Sequence, residues 1–406
     1  MVRKVFSVSG VAGVLALGAG LSLVGEVAPA QDLPRLTLTP DAVGVSGLSS
    51  GAFMAVQMHV AFSQAIVGAG VVAGGPYYCA EGTVLGALFS CMQTEEGGPP
   101  VAPLLEAARG FAGAAVIDPL SGLVGDRVYL FSGTKDDTVT PPAVAAAAGF
   151  YAQAGIAEAD LRHVTDVPAG HAFLAAGGPV PCGQTEPPFI SDCGVDQAGD
   201  ILTWVHGTLS PPTTPDRERL LSFAQGSYLT DPGQQEMNTQ GFVYVPEACA
   251  GGAECRLHIA FHGCQQGRAV LGDEYAWTTG YNAWAEANGI VVLYPQAQAS
   301  IIGGNPKGCW DWWGYGSDVY YTKQAPQIAS VARMAEALGV KLDGDLPICV
   351  EYDDFNAVHF QQGRAEPCGF SLCAVGSGAP IGGYYGASVL YETAVGQFTP
   401  DACPLR

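Results

Sequence analysis

Residues 41–62 read DAVGVSGLSSGAFMAVQMHVAF, a short apolar strand that runs into Gly47-Leu48-Ser49-Ser50-Gly51 and straight on into a helical pattern. A serine at the centre of G-x-S-x-G sits on a tight, strained turn between strand and helix. Glycines on either side let backbone and helix approach without a Cβ clash. Only Ser49 holds the central place. Ser50 opens the helix, so its backbone N–H points to where an oxyanion would form, helped by the partial positive charge of the helix N-terminus.

Working outward, AIVGAGVVAGGPYYCA (65–80) reads as a buried strand ending at Gly74-Gly75-Pro76, and DRVYLFSG (126–133) as another. The second delivers GTKDDTV (133–139), followed by a helix over 141–154. An aspartate just beyond a strand end can orient an imidazole from a neighbouring loop. Asp136 and Asp137 compete for this role, and the G-T-x-D-x-x-V spacing favours Asp136, leaving the other as a turn or N-cap residue. The next strand, LRHVTDVP (161–168), ends in Ala169-Gly170-His171. His59 falls in the elbow helix, His206 ends a helix, and His163 and His258 lie within strands, so structural roles suit those four. The chain order Ser49, Asp136, His171 is the serine, acid, histidine order of α/β-hydrolases.

Composition narrows the class. Residues 1–30 carry Arg3 and Lys4, an apolar run and Ala28-Pro29-Ala30, the pattern of a cleaved secretory signal, and no later apolar run is long enough to span a bilayer. The formal net charge of −21 disfavours nucleic acid and anionic substrates. Twelve cysteines, an even number in an exported chain, read as disulfides, and proximity suggests Cys79–Cys91, Cys182–Cys193, Cys249–Cys255 and Cys368–Cys373. Neither C-x-x-C nor H-E-x-x-H occurs, so no catalytic metal and no cofactor are expected.

Residues 207–216, GTLSPPTTPD, read as a connector. Strands follow at 240–249, 255–267 and 288–296, with a helix at 278–287. The strand ending Ala260-Phe261-His262-Gly263-Cys264 carries the H-G pair that in α/β-hydrolases precedes the second oxyanion amide. That donor falls on Cys264, which leaves His262 a structural or oxyanion-side histidine. This strand ordinarily precedes the nucleophile, whereas here it comes about 200 residues after it. The expected fold is therefore an α/β-hydrolase that is circularly permuted, with residues 31–340 as one domain, since neither half holds a complete sheet.

Taken together, VSGLSSGAFMAVQ, AGGPYYC, SGTKDD, FHGCQQ and NPKGCWDWWGY resemble the extracellular poly(3-hydroxybutyrate) depolymerases, in particular the circularly permuted type, over about residues 36–335. The resemblance implies a Ser49, Asp136, His171 triad, oxyanion amides at Ser50 and Cys264, and a water-insoluble polyester as substrate, cleaved by a secreted serine esterase. It also implies an apolar crevice, with Trp310 as a wall. The Cys309-to-Tyr315 loop holds three tryptophans in four residues, poor material for a core helix. Trp310 and Trp313 are thus candidates for binding a polymer chain, against the alternative that these rings pack over the sheet or a Cys309 disulfide.

Residues 341–406 change character and read as a small β-rich accessory module with the stretch Asn356, His359, Gly363, Arg364, Ala365. Tyr384, Tyr385 and Tyr391 suit polymer adsorption as well as a plain stabilising extension suits the rest. Asp353-Asp354 reads better as a solvated face than as a calcium site. Other readings remain a feruloyl or acetylxylan esterase and a non-catalytic polymer-binding surface protein. Nothing in the chain demands more than a monomer, and neither nucleic acid nor membrane is an expected partner.

Overall fold

The computed structural model describes residues 31–94, 97–230, 236–343, 350–369, 371–394 and 397–400. The expected signal segment lies outside the described residues, as do Cys349 and Cys403. The centre is an eight-stranded mixed sheet. In chain order its strands are β1 (Leu38–Leu48), β2 (Ile66–Val72), β3 (Arg127–Phe131), β4 (Leu161–Val164), β5 (Leu220–Phe223), β6 (Gly241–Tyr244), β7 (Cys255–Phe261) and β8 (Ile290–Tyr294). They lie side by side as β4-β3-β2-β1-β7-β8-β6-β5. The first six in that order pair in parallel, while β6 runs antiparallel to both β8 and β5.

Period-two alternation sends side chains to two separate cores. Val43, Val45, Val71, Leu130, Ile259 and Leu293 pack in one cluster with α1 (Ser50–Ala61), α3 (Pro141–Ala154) and α6 (Pro326–Leu338). Val72, Tyr129, Phe131, Ala260, Val292 and Tyr294 pack in the other with α4 (Gln197–His206) and α5 (Tyr281–Asn288). Strands buried on both faces read as near-continuous apolar runs, which is why β2, β7 and β8 were legible. The helix α1 is buried over its whole length, so it carries no polar stripe. Of its two large polar side chains, Gln57 donates to the carbonyls of Asp311 (3.0 Å) and Tyr320 (3.2 Å), and His59 bonds Tyr151 Oη and Asp126 Oδ2.

All four disulfides expected from proximity are present, and a fifth joins Cys264 to Cys309 across 45 residues. Beyond residue 350, strands Val350–Phe355, Ala387–Ala394 and Gln397–Thr399 form one antiparallel sheet, and Ala365–Cys368, Ser371–Ala374 and Pro380–Gly382 another. Tyr352, Ala374, Leu390 and Phe398 give this part a small core of its own. Its polar motif is a frame. Buried Asn356 donates to the carbonyls of Ile381 (2.9 Å) and Gly383 (2.8 Å) and accepts from Ser388 Oγ (2.6 Å). Arg364 donates to His359 Nδ1 (3.2 Å) and to Asp354 (2.6 Å), so Asp354 is paired with a cation. The frame holds up the turn that displays Tyr384 and Tyr385, the latter 93% exposed.

Candidate active site

The parallel strands all end on one edge of the sheet, and the candidate residues stand just past those ends. Ser49 follows β1 with φ 57° and ψ −122°, a left-handed backbone that an L-residue adopts only under constraint. The constraint is visible on both sides. The Ser49 N–H donates to Val72 O at the end of β2 (2.9 Å), and the Ser49 carbonyl accepts from Ala52 and Phe53 to start α1. A Cβ on Gly51 would lie 2.3 Å from Phe261 O, and one on Gly47 2.3 Å from Gly51 O, so only glycine fits at either place. The signature therefore records how closely α1 approaches β7.

Asp136 lies in the turn after β3, and His171 in the loop after β4. His171 Nδ1 bonds Asp136 Oδ2 at 2.8 Å, with both side chains buried. Asp136 Oδ1 accepts from the N–H groups of Thr138 and Val139, each at 2.9 Å, which fixes the carboxylate in its turn. Asp137, the competitor, points to solvent. Lys135 N–H donates to Ala169 O (3.0 Å), which ties the two loops together, and the His171 backbone N–H donates to Thr185 Oγ1 (2.8 Å) in a later segment. Because Nδ1 faces a carboxylate it carries the proton, and Nε2 is left with its lone pair.

The H-G loop abuts the serine from the β7 side: a Cβ on Gly263 would sit 3.4 Å from Ser49 Cβ. Buried His262 accepts from Ala297 N–H at Nε2 (3.1 Å) and donates through Nδ1 to Gly263 O (2.7 Å). Burial pushes its imidazole down to about 4, so it stays neutral. Among the described residues, the N–H groups of Ser50 and Cys264 donate to no protein acceptor.

Trp310 does not stand where expected. It is fully buried, its ring edge-on to Phe261, and its indole N–H donates to His262 O (3.0 Å). It is no crevice wall, because the Cys264–Cys309 disulfide draws this end of its loop under the H-G turn. Trp312 stacks on Phe53 of α1 with ring centroids 3.8 Å apart. Trp313 remains half-exposed and lines an open cleft of about 450 Å³ with Val84, Ile302 and Tyr315.

Two side chains important to this architecture escaped sequence reasoning. Gln266 Oε1 accepts from Gly263 N–H (2.7 Å), and its Nε2 donates to Pro188 O (2.7 Å). Asp311 accepts from the N–H groups of Gly314, Tyr315, Gly316 and Ser317, and burial still raises its carboxyl to about 6. The available signals were a glutamine three residues past H-G and an aspartate ahead of a glycine-rich turn. Among the described residues no cluster of His, Cys, Asp and Glu could hold a metal ion.

No family model matches the chain. A poly(3-hydroxybutyrate) depolymerase of Delftia acidovorans is 40% identical over 339 residues, which is 82% of this chain and 67% of that protein. A polyhydroxybutyrate depolymerase of Talaromyces funiculosus is 38% identical over 347 residues, 81% of this chain and 95% of that one. The chain belongs to the poly(3-hydroxybutyrate) depolymerase family. The crystal structure of the PHB depolymerase from Penicillium funiculosum superposes with a TM-score of 0.68 at 34% identity, covering 76% of this chain and 99% of that one. A serine-to-alanine PHB depolymerase complexed with an R3HB trimer matches with the same score and coverage. This depolymerase chain is therefore longer than the solved relatives.

Proposed function

We propose that the chain is a secreted serine esterase built on a circularly permuted α/β-hydrolase sheet, and that it hydrolyses poly(3-hydroxybutyrate) or a close aliphatic polyester through an acyl-enzyme. The observation that carries the reading is the Asp136–His171 hydrogen bond past the ends of β3 and β4, on the same edge of the sheet as Ser49 on its strained elbow. Ser49 Oγ attacks the ester carbonyl while His171 Nε2 takes its proton, and Asp136 holds the imidazole and stabilises its cation. The N–H groups of Ser50 and Cys264 receive the oxyanion. His171 then protonates the leaving alcohol, and water, activated by the same imidazole, releases the hydroxyacid. The relative complexed with an R3HB trimer as a serine-to-alanine variant supports a serine nucleophile.

Strand order supports the permutation. If the chain is cut at the connector Gly207 to Asp216 and β5 is renumbered first, the sheet reads first, second, fourth, third, fifth, sixth, seventh, eighth, with the second antiparallel. The nucleophile then follows the fifth strand and the H-G loop the third, as in α/β-hydrolases. Five disulfides among the described residues suit an oxidising compartment, and no described helix is long and apolar enough to cross a membrane. Trp313, with Val84 and Ile302, supplies an accessible apolar lining for an aliphatic chain. No relative reported above favours a plant-wall esterase or a non-catalytic binder. The test is fluorophosphonate labelling of the mature chain followed by peptide mapping. Label on the peptide bearing Ser49, absent from Ser49→Ala, is the expected result; label elsewhere, or none, removes the serine assignment.

A further inference from the structure

Beside the triad, the loop that follows β7 shows an unusual completeness. The His262 carbonyl accepts from Trp310 Nε1 (3.0 Å), the Gly263 N–H donates to Gln266 Oε1 (2.7 Å), and the Gly263 carbonyl accepts from His262 Nδ1 (2.7 Å). The amides of Gln265 and Gln266 are paired as well, to Lys307 O (2.7 Å) and Gly263 O (3.2 Å). From residue 263 to 266, the one N–H without a protein acceptor among the described residues is that of Cys264. In a trans peptide, C=O and N–H point in opposite directions. A donor that fixes the Gly263 carbonyl on one side therefore aims the Cys264 N–H to the other.

We propose that His262, Gln266 and Trp310 are positioning residues that clamp two consecutive peptide planes and thereby aim the Cys264 N–H at the developing oxyanion. The inference rests on the triad reading above. Trp310 and the Gln266 side chain hold the 262–263 peptide at its two ends, and His262 holds the 263–264 peptide at its carbonyl, which also accepts from the Gln266 backbone N–H (3.2 Å). Gly263 lies against Ser49 and has no Cβ to restrict its dihedrals, so the clamps supply the restraint on its two peptides that a side chain would otherwise provide. The neutral state of His262 belongs to the same device. Ala297 N–H occupies Nε2, which commits the proton to Nδ1, where it reaches the Gly263 carbonyl. Preorganised donors stabilise a transition state because they need no reorientation at the moment of reaction.

The test uses the mature chain with Gln266→Met, Trp310→Phe and His262→Phe, each of which removes one clamp bond and keeps most of the volume. His262→Asn serves as rescue, since its amide can place an N–H near the Nδ1 position. Active sites are titrated to completion with a fluorophosphonate, so only folded enzyme is counted. With p-nitrophenyl butyrate, kcat falls by about 10- to 100-fold in the three clamp variants, below the loss of a whole oxyanion donor. KM stays within about twofold, the Ki of an alkylboronic acid rises in step with the loss of kcat, and His262→Asn recovers most of the rate. Titrated variants that keep kcat within about twofold of wild type, or lose it with boronate affinity unchanged, overturn the proposal. If one variant does not fold, the other two decide. Turnover by Ser49→Ala would instead sink the triad reading itself; an inactive Ser49→Ala beside fully active clamp variants sinks only the positioning.

Discussion

Replacing Gly51 by alanine separates the packing account of the elbow from simple helix propensity. Gly51 is the second residue of α1, and in an unconstrained helix interior Gly→Ala stabilises by about 0.5–1 kcal/mol. Here the added Cβ would meet Phe261 O at 2.3 Å and His262 O at 2.5 Å, both backbone atoms, about 1 Å short of ordinary contact. No rotamer relieves such a clash, so α1 and the end of β7 must separate by about that distance. Overpacking of this kind costs about 1–3 kcal/mol. It also shifts Ser49 relative to His171 and the H-G loop, and a 1 Å misplacement of reacting groups costs about 100-fold in rate. Gly110 in α2 (Val101–Gly113) is the control: it is exposed and a Cβ there meets nothing within 4 Å, so alanine should stabilise by about 0.5–1 kcal/mol. Urea unfolding and kcat/KM on p-nitrophenyl butyrate would be measured for both variants. A Gly51→Ala enzyme as stable and as fast as wild type would refute the reasoning, because it would mean that helix and strand do not approach as described.

Further outcomes follow from the same structure. Asp136→Asn should lower kcat by about 10³–10⁴ while leaving KM near wild type, because an amide no longer selects the Nδ1–H tautomer; a loss below tenfold in stopped-flow or steady-state assays contradicts the 2.8 Å pairing. Stability should fall from pH 7 to pH 5. His262, depressed to about 4 by burial, folds neutral, so its contribution is complete above the unfolded value near 6.5 and is lost as pH drops towards 4, costing about 2 kcal/mol by pH 5. His258, also lowered by burial, acts in the same direction. Asp311, raised to about 6, acts oppositely, and relief of its carboxylate returns about 1.4 kcal/mol over the same interval. Denaturant midpoints that stay constant between pH 7 and 5 would mean that these imidazoles are not buried neutral. Asn356→Ala should release the turn bearing Tyr384 and Tyr385 at a cost of about 1–3 kcal/mol per orphaned partner, seen as faster amide exchange over 381–386 with soluble-ester turnover unchanged; unaltered exchange there would deny the frame.

Much of this was legible because it is local. The helix 141–154 is bounded by Pro141 and Gly155, and the structure places it at Pro141–Ala154. The elbow, the acid after β3 and the histidine after β4 each sit in a strand-plus-turn signature that a few residues specify. The strand Leu220–Phe223 was not anticipated, since its half-buried edge position leaves only four residues of weak pattern. The expected helix at 278–287 divides at Gly280, whose left-handed backbone caps Tyr281–Asn288 and separates it from Glu274–Thr278. Trp310 was misjudged for a different reason. An aromatic run on a glycine-rich loop reads the same whether the ring faces solvent or hangs beneath a turn, and the Cys264–Cys309 bond that decides between them spans 45 residues. Asp311 likewise acts on backbone groups of its own loop, and Gln266 on those of its own loop and of the Pro188 loop, duties that residue type alone does not announce.

The most direct measurement is the clearing of a poly(3-hydroxybutyrate) suspension by the purified mature chain, with Ser49→Ala beside it and p-nitrophenyl butyrate as the soluble control. Clearing by the wild type that vanishes in Ser49→Ala, together with release of 3-hydroxybutyrate oligomers or monomer, is what the structure leads us to expect. Rapid turnover of the soluble ester with no clearing would contradict the polyester assignment, and clearing that persists in Ser49→Ala would contradict the nucleophile.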